Sequence, residues 1–115
     1  MLGIFNINKK IAPFNKAITI DGDKSLSIRW ALLASQALGT SKAYKLLKSE
    51  DVLNTLKCLK KLGIKIKIRN DYCEIIGRGL NGYKYKNNLS LDAGNSGTLG
   101  RLLLGLLVHT TKKIK

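Results

Sequence analysis

Acidic residues are scarce in this chain. Its 115 residues include seven Asp and Glu against 21 Lys and Arg, so the formal net charge is +14 at pH 7. Such an excess predicts attraction to anions, but it does not choose among nucleic acid, a membrane surface and small phosphorylated molecules. The basic residues are mostly Lys and are scattered, whereas nucleic-acid-binding arms more often carry a dense block. Charge alone therefore predicts an anionic partner and leaves its class open.

Residues that bind metals or form crosslinks are also few. The chain has two cysteines, Cys58 and Cys73, and one histidine, His109. With no CxxC pair and no second histidine, a metal site has no support. The first residues lack the pattern of a signal peptide, so we expect a reducing, cytoplasmic location and two free thiols.

Long apolar runs are absent as well. No run approaches the roughly 20 residues that span a bilayer. The apolar stretch Leu102 to Val108 is short and predicts a buried helix, with His109 at its C-terminal end in a helix-end role rather than a catalytic one. The hydrophobic fraction of 44% is nevertheless enough for one domain with a core.

The first half of the chain predicts strands and helices in alternation. Short strands are expected at Leu2 to Ile7, at Ala17 to Ile20 and at Ala43 to Leu47. A helix is expected from Ser25 to Leu38, with Gly39 as its stop and a core face formed by Leu26, Trp30, Leu33 and Ala37.

The second half continues the alternation. A second helix is expected between the cap Ser49 and Gly63, with Val52, Leu56 and Leu59 in the core and Lys57, Lys60 and Lys61 in solvent. The alternating run Ile64 to Arg69 and the run Tyr72 to Ile76 predict a hairpin. A short strand at Leu89 to Leu91 and a helix from Leu99 follow, and Thr110 to Lys115 is expected to have no structure of its own. This order predicts an α/β (α+β) fold with one complete unit and the start of a second.

One turn, Asp21 to Arg29, concentrates groups that bind anions. It joins a predicted strand to a helix start, where free backbone N–H groups and the helix dipole favour a negative charge. Ser25 and Arg29 are four residues apart and share a helix face, so Arg29 should reach back toward the Ser25 hydroxyl. With Lys24 added, a phosphate or carboxylate is the expected occupant.

A second turn, Asp92 to Thr98, occupies the equivalent place before the last helix. Its two glycines permit tight turns and close backbone approach, and Thr98 and Arg101 share a helix face. Neither turn is a Walker A motif, because Asp23 stands before Lys24 where that motif requires Gly. No GxGxxG follows a strand either.

Both turns resemble motifs of one enzyme family. The segments Asp21 to Arg29, Ser49 to Val52, Leu62 to Ile64 and Gly94 to Thr98, followed by Arg101 to Gly105, look like the N-terminal part of EPSP synthase (3-phosphoshikimate 1-carboxyvinyltransferase, EC 2.5.1.19). The agreement covers roughly Ala17 to Leu107. The chain departs from the family at Asp21, where proline is usual, and at Ile28, where His or Asn is common.

The resemblance implies a function and a fold. The family transfers the enolpyruvyl group of phosphoenolpyruvate to the 5-hydroxyl of shikimate 3-phosphate and releases phosphate, in chorismate and aromatic amino-acid biosynthesis, without a metal or organic cofactor. Its lobes are inside-out barrels of repeated βαβαββ units. Residues 1–20 would then belong to the other lobe, and residues 21–115 would form a truncated substrate-binding lobe. A monomer is expected for the full-length enzyme.

The resemblance also assigns site residues. Lys24, Ser25 and Arg29 would bind shikimate 3-phosphate, and Lys24, Asn95 and Gly97 would bind phosphoenolpyruvate. Thr98 and Arg101 are further candidates. Because the family is several times longer, its acid and base residues are expected beyond Lys115, and this fragment alone is expected to be inactive.

Two alternatives remain open at this point. The sister enolpyruvyl transferase, which acts on UDP-N-acetylglucosamine, also has a lysine at the first turn, although it lacks the accompanying Ser and Arg. A small basic nucleic-acid-binding module would be supported by the net charge and by bases stacking on Tyr72, Tyr83 and Tyr85.

Overall fold

The fold combines three helices with one small antiparallel sheet. The computed structural model describes Gly3, Asn6, residues 8–19 and residues 22–115. Within them β3 is the central strand and pairs antiparallel with β1 and with β2. The expected α/β class is therefore confirmed. The elements in chain order are α1 (Lys24–Gln36), β1 (Leu38–Tyr44), α2 (Glu50–Lys61), β2 (Lys65–Ile68), β3 (Tyr72–Arg78) and α3 (Gly97–Leu107).

The strands predicted before α1 are not part of this sheet. The prediction at Leu2 to Ile7 falls mostly outside the described residues. At Ala17 to Ile20 the prediction is wrong over residues 17–19, which form no strand, and Ile20 lies outside the described residues. A strand requires a neighbour for its backbone N–H and C=O groups, and no described strand pairs with this segment. Whether residues 1–20 belong to another lobe stays a prediction.

The sheet confirms the predicted hairpin and corrects the predicted first strand. In the hairpin Ile66 lies opposite Ile75, and Ile68 opposite Cys73. Strand β1 begins at Leu38 rather than Ala43 and ends at Tyr44 rather than Leu47. Gly39 does not stop α1 but lies within β1, with a φ of +97°.

A glycine in β3 lies directly against the C-terminal end of α1. A Cβ on Gly77 would lie 2.2 Å from the carbonyl oxygen of Ala37 and 2.3 Å from that of Ala34. The end of α1 therefore packs directly on the backbone of the central strand. Ala37 is extended there, and the chain enters β1 at once.

The core face of α1 is not the one that the sequence predicted. Leu26 and Leu33 are 50% and 71% exposed, whereas Trp30 is half-buried and packs against the core as predicted. The helix instead turns inward the face formed by Ser27, Ile28, Ala31, Leu32, Ala34 and Ser35. These residues are mostly small, which lets α1 approach α2 and β3 closely. Apolar residues lie on both sides of α1, so its periodicity could not choose between them.

Helix α2 follows its prediction closely, except that Ser49 occupies the N-cap position without a capping hydrogen bond from its side chain. Val52, Leu56 and Leu59 are buried, while the three lysines on its outer face are exposed. The helix ends at Lys61, and Gly63 takes a positive φ of +87° just after it. Because the amphipathic pattern of α2 is strong, the sequence alone predicts which face of the helix is buried.

The last helix and the chain end differ from expectation in two ways. In α3 only Leu99 and Leu103 are buried, so the run from Leu102 to Val108 is not a buried helix. Residues 88–91 and 113–115 pair in parallel around a bridge between Leu89 and Ile114. This bridge replaces the predicted strand at Leu89 to Leu91 and gives the last residues backbone partners. Among the described residues, no helix has the length and apolar character needed to cross a membrane.

Candidate functional site

The start of α1 forms a capped, cationic turn. Asp23 Oδ1 accepts a hydrogen bond from the Leu26 amide at 2.8 Å, which leaves the first amides of the helix, those of Lys24 and Ser25, for an external acceptor. Arg29 folds back and donates from Nη1 to the Ser25 hydroxyl. The predicted Ser25–Arg29 pairing is therefore present. The capping role of Asp23 was missed, although an Asp just before a helical run is a familiar N-cap signal.

Lys24 is tied to a residue that the sequence did not connect with the site. Its Nζ lies 3.1 Å from Asp51 Oδ2, in the first turn of α2. The Lys24 side chain is 54% exposed, whereas the Asp51 side chain is only 17% exposed. As an acid in the first turn of α2, Asp51 also complements the dipole of its own helix. No local signal could pair residues that lie on different helices.

The start of α3 repeats the arrangement of α1. Ser96 Oγ caps the helix by accepting from the Leu99 amide at 3.1 Å. Arg101 folds back over the first turn, so that a Cβ on Gly97 would lie 3.1 Å from a terminal nitrogen of its guanidinium. Asn95, Gly97 and Arg101 are exposed and Thr98 is half-buried. The second turn is therefore also a helix start accompanied by an arginine four residues along.

Helix α2 connects the two turns. Asp51 contacts Lys24 of the first turn. One turn further along α2, Asn54 touches the second turn, since a Cβ on Gly94 would lie 2.6 Å from Asn54 Nδ2. The starts of α1 and α3 therefore both lie beside the first two turns of α2.

The far ends of α1 and α3 also lie close together. The hydroxyls of Ser35 and Tyr83 share a hydrogen bond of 2.7 Å, and Tyr83 lines a small cavity with Leu106 and Leu107. Together with the contacts through α2, this means that the two helices run in the same direction. Their positive dipole ends therefore lie on one side of the described structure.

Each of the two turns borders its own groove. A groove of about 560 Å³ lies beside Gly22, Asp23 and Trp30. A separate apolar groove of about 670 Å³ contains Gly97 and Arg101. The side chains of Asp51 and Asn54 lie between the turns. A shared pocket for both predicted ligands therefore stays a prediction.

No nucleophile or metal cluster accompanies these turns in the described residues. Cys58 lines the apolar groove that contains Gly97 and Arg101. Burial raises the pKa of its thiol, and the Sγ–H donates to the Asp92 carbonyl at 3.3 Å. A protonated, hydrogen-bonded thiol is a poor nucleophile. Within the described ranges, no group of three His, Cys, Asp or Glu side chains is placed to hold a metal ion.

The tyrosines do not form a common stacking surface. Tyr83 and Tyr85 pack against the core, and their hydroxyls bond to Ser35 and Thr110 respectively. Tyr72 lies on the sheet against Tyr44 and Lys42. The structure thus gives no particular support to a nucleic-acid-binding module.

Comparison with known proteins gives a consistent result. The family model for EPSP synthase (3-phosphoshikimate 1-carboxyvinyltransferase) matches residues 8–115. The chain is 46% identical over 90 residues to a 3-phosphoshikimate 1-carboxyvinyltransferase of Streptococcus mutans, covering 78% of this chain and 21% of the relative. It is 39% identical over 101 residues to that of Syntrophomonas wolfei, covering 88% of this chain and 23% of the relative.

A solved structure agrees with these relatives. The EPSP synthase from Acinetobacter baumannii is similar with a TM-score of 0.69 and 38% identity, over 78% of this chain and 20% of that protein. The chain therefore spans about a fifth of the length of the relatives that it matches.

Proposed function

The chain belongs to the EPSP synthase family, and from this premise we propose that it supplies part of the substrate-binding surface for 3-phosphoshikimate 1-carboxyvinyl transfer. The enolpyruvyl group of phosphoenolpyruvate passes to the 5-hydroxyl of shikimate 3-phosphate, and phosphate leaves. The reaction serves chorismate and aromatic amino-acid biosynthesis, in the cytoplasm, without a cofactor. The complete enzyme acts as a monomer.

The observation that carries this proposal is the cationic start of α1. Arg29 donates to Ser25 beside the free first-turn amides, and the Lys24 ammonium lies on the same turn. Both substrates are multiply anionic, so bringing them together requires cations and oriented N–H groups to offset their repulsion. We assign shikimate 3-phosphate to Lys24, Ser25 and Arg29.

The second turn supplies the other half of the proposal. We assign phosphoenolpyruvate to Lys24, Asn95 and Gly97, with Thr98 and Arg101 as further contacts. The capped start of α3 and the folded-back Arg101 support this assignment, because a helix N-terminus with a guanidinium suits a phosphate or carboxylate.

The remaining architecture is also part of the proposal. Residues 21–115 form part of one lobe of an inside-out barrel built from βαβαββ units, and residues 1–20 contribute to the other lobe. The general acid and base lie outside these 115 residues, because the two turns offer charge and positioning but no proton-transfer pair. The 115-residue chain alone should therefore bind substrate without turnover.

The test is the affinity of the 115-residue chain for shikimate 3-phosphate, measured by isothermal titration calorimetry and by the fluorescence of Trp30. Each of the variants Lys24→Met and Arg29→Met should lose about 1.5–3 kcal/mol of binding free energy, as expected for hydrogen bonds to a charged group. Lys57→Met is the matched control, because Lys57 is an exposed lysine on the outer face of α2. Its affinity should stay within about twofold of the native value.

Three further ligands identify what the site accepts. Shikimate, which lacks the phosphate, should bind at least about tenfold more weakly if charged contacts dominate. Tighter binding of UDP-N-acetylglucosamine than of shikimate 3-phosphate would favour the sister transferase. Binding of an oligonucleotide with a steep salt dependence would favour the nucleic-acid module. Unchanged affinity in both Lys24→Met and Arg29→Met would refute the site.

A further inference from the structure

The ion pair between Lys24 and Asp51 links the cationic turn to a second helix. The Nζ–Oδ2 distance is 3.1 Å, and Asp51 is the more deeply buried partner. We propose that Asp51 is a positioning residue, which holds the Lys24 ammonium where the anionic substrate meets it. This inference rests on the proposed function, because it concerns the same binding site.

Asp51 is held firmly enough for this role. It lies in the first turn of α2, where an acid complements the positive end of the helix dipole. Its carbonyl oxygen accepts a hydrogen bond from Thr55 Oγ1 at 2.9 Å, and Thr55 is fully buried. Lys24, by contrast, is exposed and carries a flexible four-carbon stem with a large rotamer entropy. The fixed carboxylate therefore orders the mobile ammonium.

The geometry of the ammonium decides whether Asp51 helps or hinders binding. A lysine ammonium has three donors, so one bond to Asp51 leaves two for a ligand. An anion on the far side of Nζ lies closer to the ammonium than to the carboxylate. Because Coulomb attraction falls with distance, the attraction to Lys24 exceeds the repulsion from Asp51. Asp51 also removes in advance part of the ordering cost that Lys24 would otherwise incur on binding.

The same helix face reaches the second turn. Asn54 lies three residues after Asp51 and touches Gly94, where φ is +57°. Residues three apart on a helix share a face. One face of α2, formed by Asp51 and Asn54, therefore contacts both turns.

A double-mutant cycle on the 115-residue chain tests the positioning role. Asp51→Asn should weaken binding of shikimate 3-phosphate about tenfold, but by less than about twofold when Lys24→Met is already present, because contacting residues are energetically coupled. Glu50→Gln is the matched control. It removes an acid from the same helical turn, and Glu50 is exposed, so its affinity should stay within about twofold.

Two more measurements separate positioning from mere folding. Asp51→Glu keeps the charge and should keep the affinity within about threefold of the native value. Side-chain NMR relaxation of Lys24 in the free chain should show an ordered terminal methylene, which becomes mobile in Asp51→Asn and stays ordered in Glu50→Gln. Circular dichroism checks that each variant is folded, and Asp51→Ala, which also removes the carboxylate, replaces Asp51→Asn in the cycle if Asp51→Asn is not folded.

The outcomes distinguish the two proposals. Equal losses of affinity on Asp51→Asn in both backgrounds, or tighter binding by Asp51→Asn, would overturn the positioning role alone. Unchanged affinity in Lys24→Met would remove Lys24 from the site and end the positioning role with it. No saturable binding by the native chain would overturn the proposed function itself.

Discussion

Two arginines act alike at the scale of single residues. Arg29 and Arg101 each fold back over the start of their own helix, toward Ser25 and Gly97 respectively. Such contacts follow from helix geometry, because residues four apart share a face and long side chains lean toward the N-terminus. For this reason the Ser25–Arg29 pair could be predicted from sequence. The Lys24–Asp51 pair could not, because it depends on how two helices pack.

Tyr83 is the buried tyrosine at the far ends of α1 and α3. Burial raises the pKa of its hydroxyl, and the hydrogen bond that it shares with Ser35 offsets part of that rise. The neutral form is therefore favoured in the folded chain. The unfolded chain ionises first as pH rises past the ordinary value of 10.0. The contribution of Tyr83 to stability is complete below that pH and is lost as pH rises toward the folded-state pKa.

Tyr83→Phe should therefore have an effect that depends on pH. At pH 8 the variant should lose about 0.5–1.5 kcal/mol of unfolding free energy with the Ser35 hydrogen bond. The difference from the native chain should shrink above pH 10. Urea denaturation at pH 8 and pH 10.5 measures both values. Tyr44→Phe is the control, since Tyr44 is largely exposed, and at pH 8 it should change the unfolding free energy by no more than about 0.5 kcal/mol. A difference for Tyr83→Phe that grows with pH would contradict this prediction.

Helix α1 shows the limit of sequence prediction at the scale of elements. Leu26 and Leu33 lie on one face and most of the small residues on another. Both faces contain apolar residues, and the sequence prediction placed Leu26 and Leu33 in the core. The fold favours the small residues, because Ala34 and Ala37 pack on Gly77 at backbone distance. That contact joins residues about 40 positions apart, so it gives no signal in the local sequence of α1. Helix α2 and the hairpin were predictable, because each has only one apolar face.

A pair of truncations tests which face of α1 is in the core. Ile28→Ala should cost about 2–5 kcal/mol of unfolding free energy, because Ile28 is fully buried and the truncation leaves a cavity. Leu33→Ala should change it by no more than about 0.5 kcal/mol, because Leu33 is largely exposed. Urea denaturation of both variants gives the comparison. A larger loss of unfolding free energy for Leu33→Ala than for Ile28→Ala would instead support the core face predicted from the sequence.

At the scale of the whole molecule, positive charge dominates. Among the described residues, ion pairs join Lys24 to Asp51, and Lys42 and Lys67 to Glu74. These pairs use three of 21 basic residues. The remaining cations repel one another across the folded chain, and this repulsion opposes compaction.

Anions should therefore stabilise the fold in two distinct ways. Sodium chloride should raise the unfolding free energy by screening the repulsion. Inorganic phosphate should raise it further at equal ionic strength, by about 1.4 kcal/mol when its concentration is tenfold above its dissociation constant. Thermal or urea denaturation in the two salts measures the difference. In the double variant Lys24→Met/Arg29→Met, most of the extra unfolding free energy that phosphate gives relative to chloride should disappear. Equal stabilisation by both salts in the native chain would count against specific anion binding.

The four-residue interval between each arginine and the group it approaches has a consequence for variation in this chain. Each residue advances the helix by about 100°. One inserted residue between Ser25 and Arg29, or between Gly97 and Arg101, would swing the guanidinium to another side of the helix. Substitution of the intervening residues keeps the guanidinium in place. Both motifs should therefore tolerate substitutions between these residues far better than insertions or deletions.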